Sequence, residues 1–232
     1  SDRPTFRRAI VRPPAANFAD GLTSVDLGTP DVGKALAQHE AYCRALEGCG
    51  LALTRLPADP RFPDSTFVED TAVITERGAV LTRPGAASRE GEAAAIADAL
   101  AAIFPALRRI EAPGTVDGGD VCEAGSHFFI RVGQRTNDDG ARQLARCLAE
   151  DGYSSSLVDL RGIECLLHLK SGIAWLGGKT LLVIEALASH PALRGWDLVR
   201  VPPGEEYASN CVLVNDAILF AAINEKTGKR DI

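Results

Sequence analysis

Short apolar stretches recur along this chain in pairs. Each pair is joined across a glycine, asparagine or aspartate turn, and a segment of helical period follows most of them. The stretch "FVEDTAVITERGAVLTRPGAASREGEAAAIADALAAIF", starting at Phe67, predicts an acidic motif, a strand, a turn at Arg77-Gly78, a second strand and a helix of alanines and charges. Fifty residues after Asp70, "DGGDVCEAGSHFFIRVGQRTNDDGARQLARCLAEDG" repeats that order, with its turn at Gly125 and a helix capped near Asn137. A third copy, "LLHLKSGIAWLGGKTLLVIEALASHPAL", turns at Gly177-Gly178, and a fourth, "SNCVLVNDAILFAA", turns at Asn215-Asp216. Single short strands lie between the copies: "LALTRLP", "LRRIEAP", "SSLVDL" and "WDLVRVP". Each unit is therefore a hairpin, a helix and one further strand, over about 45 to 50 residues.

This alternation predicts an α/β fold. The strand "FRRAIVR" and the helix "DVGKALAQHEAYCRALEGCG" form part of one more unit, with one hairpin strand where the others have two. After the fourth hairpin, near Ala222, the pattern demands a helix, a strand, and a strand to pair with residues 6–12, but the chain gives "INEKTGKRDI". Those elements would take about 30 residues. A circular repeat without them would expose two long sheet edges, which native proteins avoid. The expectation is a single domain over residues 1–232 whose closing helix and strands are missing. There is no methionine, even at residue 1, so a processed or trimmed start is expected too.

The net charge of −6 and the lack of a basic stripe argue against a nucleic-acid partner. No apolar run reaches the ~18 residues of a membrane span, and no signal peptide opens the chain, so a cytoplasmic protein is expected. Cys43, Cys49, Cys122, Cys147, Cys165 and Cys211 form no CxxC pair and no zinc-type cluster, and read as scattered reduced thiols. Nothing indicates a metal or organic cofactor.

Polar residues that open successive repeats would converge at one end of a pseudo-symmetric ring. They are Asp64, Glu69 and Asp70 in "FPDSTFVED", Asp117 and Asp120 in "TVDGGD", and His168, Lys170 and Ser171 in "ECLLHLKSG". Singly, each has a plainer reading. "PDS" and "DGG" are turn signals, and His168 in a leucine-rich strand is as readily a satisfied core histidine. Together they read as a site, because clustered acids suit a cationic group and an acid beside a histidine orients it and raises its pKa.

The motifs "GLTS", "FPDSTFVED", "RPGAASREG", "APGTVDGGD", "RTNDDGARQL", "LHLKSG" and "ASNCVLVN" resemble those of the dimethylarginine dimethylaminohydrolases, in the guanidino-modifying (pentein) superfamily. The resemblance runs from about Ile10 to Ala222. It implies a five-bladed β/α propeller of ββαβ units, the final blade incomplete here. It also implies a cysteine hydrolase acting on the guanidinium of methylated arginine, through an S-alkylthiouronium intermediate, to give citrulline and a methylamine. By motif match, His168 would be the general acid and base and Asp117 would orient it. Asp70 and Glu69 would pair with the guanidinium, and Asp64 with the Leu22 carbonyl would take the α-ammonium. Arg89 and Arg135 would hold the α-carboxylate; without the resemblance they read equally as solvated helix-entry charges. Phe67 would wall the pocket.

Arginine deiminases and amidinotransferases carry an acid two residues after the histidine. Lys170 stands there in this sequence, which disfavours them and leaves room for an N-methylated head group. The resemblance places the nucleophilic cysteine in a Gly-rich final strand, and residues 223–232 contain none. Cys211 matches an apolar strand cysteine of the family. Cys165, three residues before His168 on a strand, would point to the opposite face. Residues 1–232 alone are thus expected to be inactive, their nucleophile lying elsewhere. Two other readings stay open, a degenerate guanidine-binding propeller and a deiminase-type enzyme. Self-association as a homodimer and the choice between mono- and dimethylarginine are open as well.

Overall fold

The computed structural model describes residues 5–23, 28–163 and 166–220. Strand β1 (Arg8–Val11) pairs in parallel with β2 (Ala52–Arg55) across helix α1 (Val32–Gly48), whose first turn is capped by Asp31 accepting from the Lys34 amide at 2.8 Å. Three sheets follow, and each obeys one rule. In the first, β3 (Ala72–Thr75) and β4 (Gly78–Leu81) form a hairpin, α2 (Glu92–Ala101) crosses over, and β5 (Leu107–Arg109) pairs in parallel with β4. The second has β6 (Val121–Ala124), β7 (His127–Val132), α3 (Asp138–Glu150) and β8 (Ser154–Asp159). The third has β9 (Ile173–Gly177), β10 (Thr180–Val183), α4 (Glu185–Ala188) and β11 (Asp197–Arg200). The hairpin of β12 (Cys211–Val214) and β13 (Ala217–Phe220) comes last. The described residues thus hold five sheets, three of them ββαβ repeats.

Two compact units emerge. One spans Glu69–Asn210. Its core joins Val73 and Val80 to Val121, Phe128, Ile130 and Val132, under Ala141, Leu144 and Leu148 of α3. Helix α3 offers this stripe because Ala141, Leu144 and Leu148 recur at three and four residues, and Asn137 caps its start by accepting from the Gly140 amide. The other unit joins two distant stretches of chain: Val11, Cys43, Leu46 and Leu51 pack with Val214 of β12.

Several expectations shift. The first hairpin turns at Glu76-Arg77, because Thr75 pairs with Gly78. The third turns at Gly178-Lys179, with a register shift just after it. Helix α4, of the third repeat, is a single turn, since Pro191, which has no amide hydrogen to donate, opens a new three-ten turn at Pro191–Leu193. His168 lies on no strand. It is the extended residue before a three-ten turn, Leu169–Ser171, so the argument from strand alternation lapses. Cys165, Ser24 of "GLTS" and "INEKTGKRDI" lie outside the described residues.

Candidate active site

Each hairpin of the larger unit is entered through a three-ten turn, and these turns carry the polar residues. Val68–Thr71 precedes β3, Gly118–Asp120 precedes β6 and Leu169–Ser171 precedes β9. They bring Asp70, Asp117 and His168 together: one ligating atom from each falls within 4.8 Å of the others. All three are sheltered, Asp117 wholly so, and the His168 side chain is 16% exposed.

The glycines explain how the backbone comes so close. The Gly119 amide donates to Asp70 Oδ1 at 2.7 Å, and a Cβ at residue 119 would lie 2.9 Å from both Asp70 Oδ1 and His168 Cγ. At residue 118 a Cβ would meet the Glu69 carbonyl oxygen at 2.0 Å. Only glycine fits this turn.

Asp70 also accepts from Arg89 Nη1 at 2.5 Å, and its other neighbour is His168 Nε2 at 4.0 Å. Burial opposes ionisation of Asp70, but the Arg89 and His168 charges prevail and hold its pKa below the usual carboxylate value. Asp117 goes the other way. Burial, aided by the charges of Asp70 and Asp120, raises its pKa. Its Oδ1 accepts from the Gly85 amide at 2.8 Å, while Oδ2 is buried with no hydrogen-bond partner. The carboxylate nearest His168 Nδ1 is that of Asp120, Oδ1 at 3.5 Å, and Nδ1 makes no aligned hydrogen bond. Burial lowers the His168 pKa, yet Asp120, Asp70 and Asp117 outweigh it, and the net shift is upward.

Other expected site residues are engaged differently. Arg89 is no solvated helix-entry charge. It is buried, with Nε and Nη2 on Glu92 and Nη1 on Asp70, so its fork is already occupied by carboxylates. Glu69 is exposed and paired with Lys170 at 2.6 Å. Burial lowers the Lys170 pKa, but Glu69 raises it further, for a net rise. Arg135 is half-buried, and its guanidinium has no partner among the described residues. In the smaller unit the buried Asp64 carboxylate accepts from the Leu22 amide, at 3.2 Å for one oxygen and 3.1 Å for the other. A Cβ at Gly21 would stand 2.5 Å from Asp64 Oδ1. Phe67 is exposed and tilts against Phe18, ring centroids 6.2 Å apart. Sequence reasoning missed Glu92, Thr136 and Arg131. Glu92 alone left a signal, three residues beyond Arg89 at a helix start.

None of the described cysteines suits a nucleophile, which needs a lowered pKa. Burial raises the thiols of Cys43, Cys147 and Cys211, and pushes Cys122 up to about 12. Cys49 packs against the apolar core of the smaller unit. Asp70, Asp117 and His168 stand as close as ligands of a metal would. However, Arg89 already supplies the positive charge on Asp70, so the set reads as an acid–base group rather than a metal centre.

No protein-family model matches the chain. The N(G),N(G)-dimethylarginine dimethylaminohydrolase of Pseudomonas aeruginosa is 45% identical over 226 residues, 97% of this chain and 88% of its own length. That of Streptomyces coelicolor is 35% identical over 225 residues, 96% and 85%. The solved Pseudomonas aeruginosa structure, a cysteine-to-serine mutant complexed with citrulline, superimposes with a TM-score of 0.90 at 46% identity, covering 94% of this chain and 85% of that one. The N-terminal domain of a cyanobacterial arginine dihydrolase, 18% identical at a TM-score of 0.81, shares the fold. The buried histidine–carboxylate group on this α/β scaffold thus sits in a guanidino-modifying, pentein-type chain. The chain belongs to the dimethylarginine dimethylaminohydrolase family.

Proposed function

We propose that the chain serves the hydrolysis of N-ω-methylated arginine to citrulline and a methylamine, with a nucleophilic cysteine other than the five described. The observation that carries this reading is His168, sheltered and ringed by Asp70, Asp117 and Asp120, in a chain of this family. A cysteine thiolate attacks the guanidinium carbon, forming a C–S bond. The C–N bond to the methylated nitrogen breaks, and the imidazolium of His168 gives that nitrogen its proton. Neutral His168 then takes a proton from water as its oxygen attacks the same carbon. The C–S bond breaks and the remaining hydroxyl proton passes to solvent, leaving neutral citrulline, the thiolate and protonated His168.

In this reading the carboxylates around His168 raise its pKa and so favour the imidazolium needed for the first step. Asp70 meets the guanidinium, since each of its oxygens keeps a lone pair beyond those given to Arg89 and Gly119. Glu69, held by Lys170, adds charge from the rim. Arg135 takes the α-carboxylate, and Arg89 holds Asp70. Asp64 and the Leu22 carbonyl serve the α-ammonium, and Phe67 walls the reacting carbon. Asp117 stabilises the imidazolium. The fold that goes with this chemistry is a single-domain five-bladed β/α propeller, which the five described sheets support. A cytoplasmic setting suits the free state of all five described cysteines, and no helix among the described residues is long and apolar enough to cross a membrane.

The test is citrulline formation from dimethylarginine by the full-length gene product and its His168→Gly variant. The variant is expected to lose at least about a hundredfold in kcat, with its circular dichroism unchanged. Loss of folded protein would instead make His168 a core residue. Equal turnover of unmethylated arginine would favour a deiminase.

A further inference from the structure

We infer that Asp120 and Arg131 are positioning residues for His168, gripping the main chain on both sides of it and aiming its ring. The inference rests on His168 being the acid–base group of the proposed reaction. Arg131, on β7 and only 6% exposed, donates from Nη1 to the carbonyls of Leu167 at 2.6 Å and Leu166 at 3.2 Å. The same nitrogen lies 3.5 Å from Asp120 Oδ1. That oxygen accepts from the Leu169 amide at 3.1 Å and stands 3.5 Å from His168 Nδ1. Asp120 Oδ2 is held by the Thr136 hydroxyl at 2.8 Å, and the same hydroxyl oxygen accepts from the Asp117 amide at 3.2 Å. Backbone groups of residues 166, 167 and 169 are thus held by one buried guanidinium–carboxylate pair, on both sides of residue 168.

The pair is costly on its own. Asp120 is fully buried and Arg131 nearly so, and such pairs are often no more stable than apolar replacements. Leu166 and Leu167 belong to an irregular segment, whose carbonyls have no ladder to join. All three contacts come from Nη1 of Arg131, while its Nε is buried without a partner among the described residues. The planar guanidinium holds Nη1 in a set direction, where the freely rotating ammonium of a lysine would not. The charged groups facing His168 are Asp70 from the turn before β3, with Arg89 behind it. Asp117 and Asp120 face it from the turn before β6, with Arg131 behind Asp120. Only Asp120 contacts both the ring and the adjoining backbone.

The test is Asp120→Asn, which keeps the shape and removes the charge, read by NMR titration of the labelled histidines. The chain has four, and His168 is assigned by its loss in His168→Gln. The His168 pKa is expected to fall. In the rate profile, kcat at pH 8 relative to pH 6 should drop about tenfold, with KM within about twofold, because neither residue touches substrate. An unchanged His168 titration in a folded variant overturns the inference. Should Asp120→Asn not fold, Arg131→Lys is read instead. A kcat loss of about tenfold at steady KM supports the inference, and a proportionate rise in KM or no change overturns it. The titration needs no turnover. A lowered His168 pKa in a protein that leaves dimethylarginine untouched would therefore uphold the positioning role while sinking the proposed reaction.

Discussion

Asp70 and Asp117 are two carboxyls beside one imidazole, pushed in opposite directions by their surroundings. Arg89 makes the difference, which places a stability requirement on a residue that the family resemblance assigns to substrate. Arg89→Met would leave Asp70 and Glu92 buried without their cation. It is expected to destabilise by about 3–5 kcal/mol in urea unfolding. Gly119→Ala tests the close approach of the backbone. Its Cβ would press on His168 and Asp70, so kcat should fall by roughly tenfold or more in a protein that still folds. At this scale the sequence named most of the participants and few of the pairings. "DGGD" flagged Asp117 and Asp120 alike, but which of them stands nearer the ring depends on where a three-ten turn points each side chain. Nothing in "HFFIRVG" marks Arg131, because its partners are carbonyls 35 and 36 residues further along.

The elements were far more legible, because their causes are local. Asn137 ahead of an amphipathic stretch and Asn215 between two apolar runs are short-range signals. Both can be tested. Asn137 caps α3 and also ties the Thr115 amide at 3.0 Å and the Pro113 carbonyl at 2.9 Å. Asn137→Ala is expected to cost about 1–2 kcal/mol, read as a lower Tm. Asn215 holds φ at 54°, and its side chain bonds both backbone groups of Phe6 and the carbonyl of Cys49. Asn215→Gly removes those bonds without strain, and Asn215→Ala adds the strain, so the alanine variant should unfold at the lower temperature. What the sequence could not show was His168 leaving the strand pattern. A histidine amid leucines satisfies strand alternation, and only contacts between turns distant in sequence override it.

Across the whole molecule, pH acts through a group outside the chemistry. Glu123 on β6 is pushed by burial up to about 7, with Lys170 opposing and Glu76 aiding. A carboxyl raised in the folded state binds its proton more tightly there than when unfolded. Its contribution is therefore full at acid pH and is lost as pH rises toward 7. His168, also raised, acts in the same direction. Tm should thus fall between pH 5 and 8, and Glu123→Gln should flatten that slope, by at most about 3 kcal/mol at 1.4 kcal/mol per pKa unit. The smaller unit raises a question of timing. Its opening strand, helix and second strand leave the ribosome long before Val214 arrives to cover Val11, Cys43, Leu46 and Leu51. At roughly 5–20 residues per second, the interval from residue 68 to residue 211 lasts roughly 7–30 s. Throughout it the nascent chain shows an uncovered apolar stripe, a natural stopping place for a chaperone.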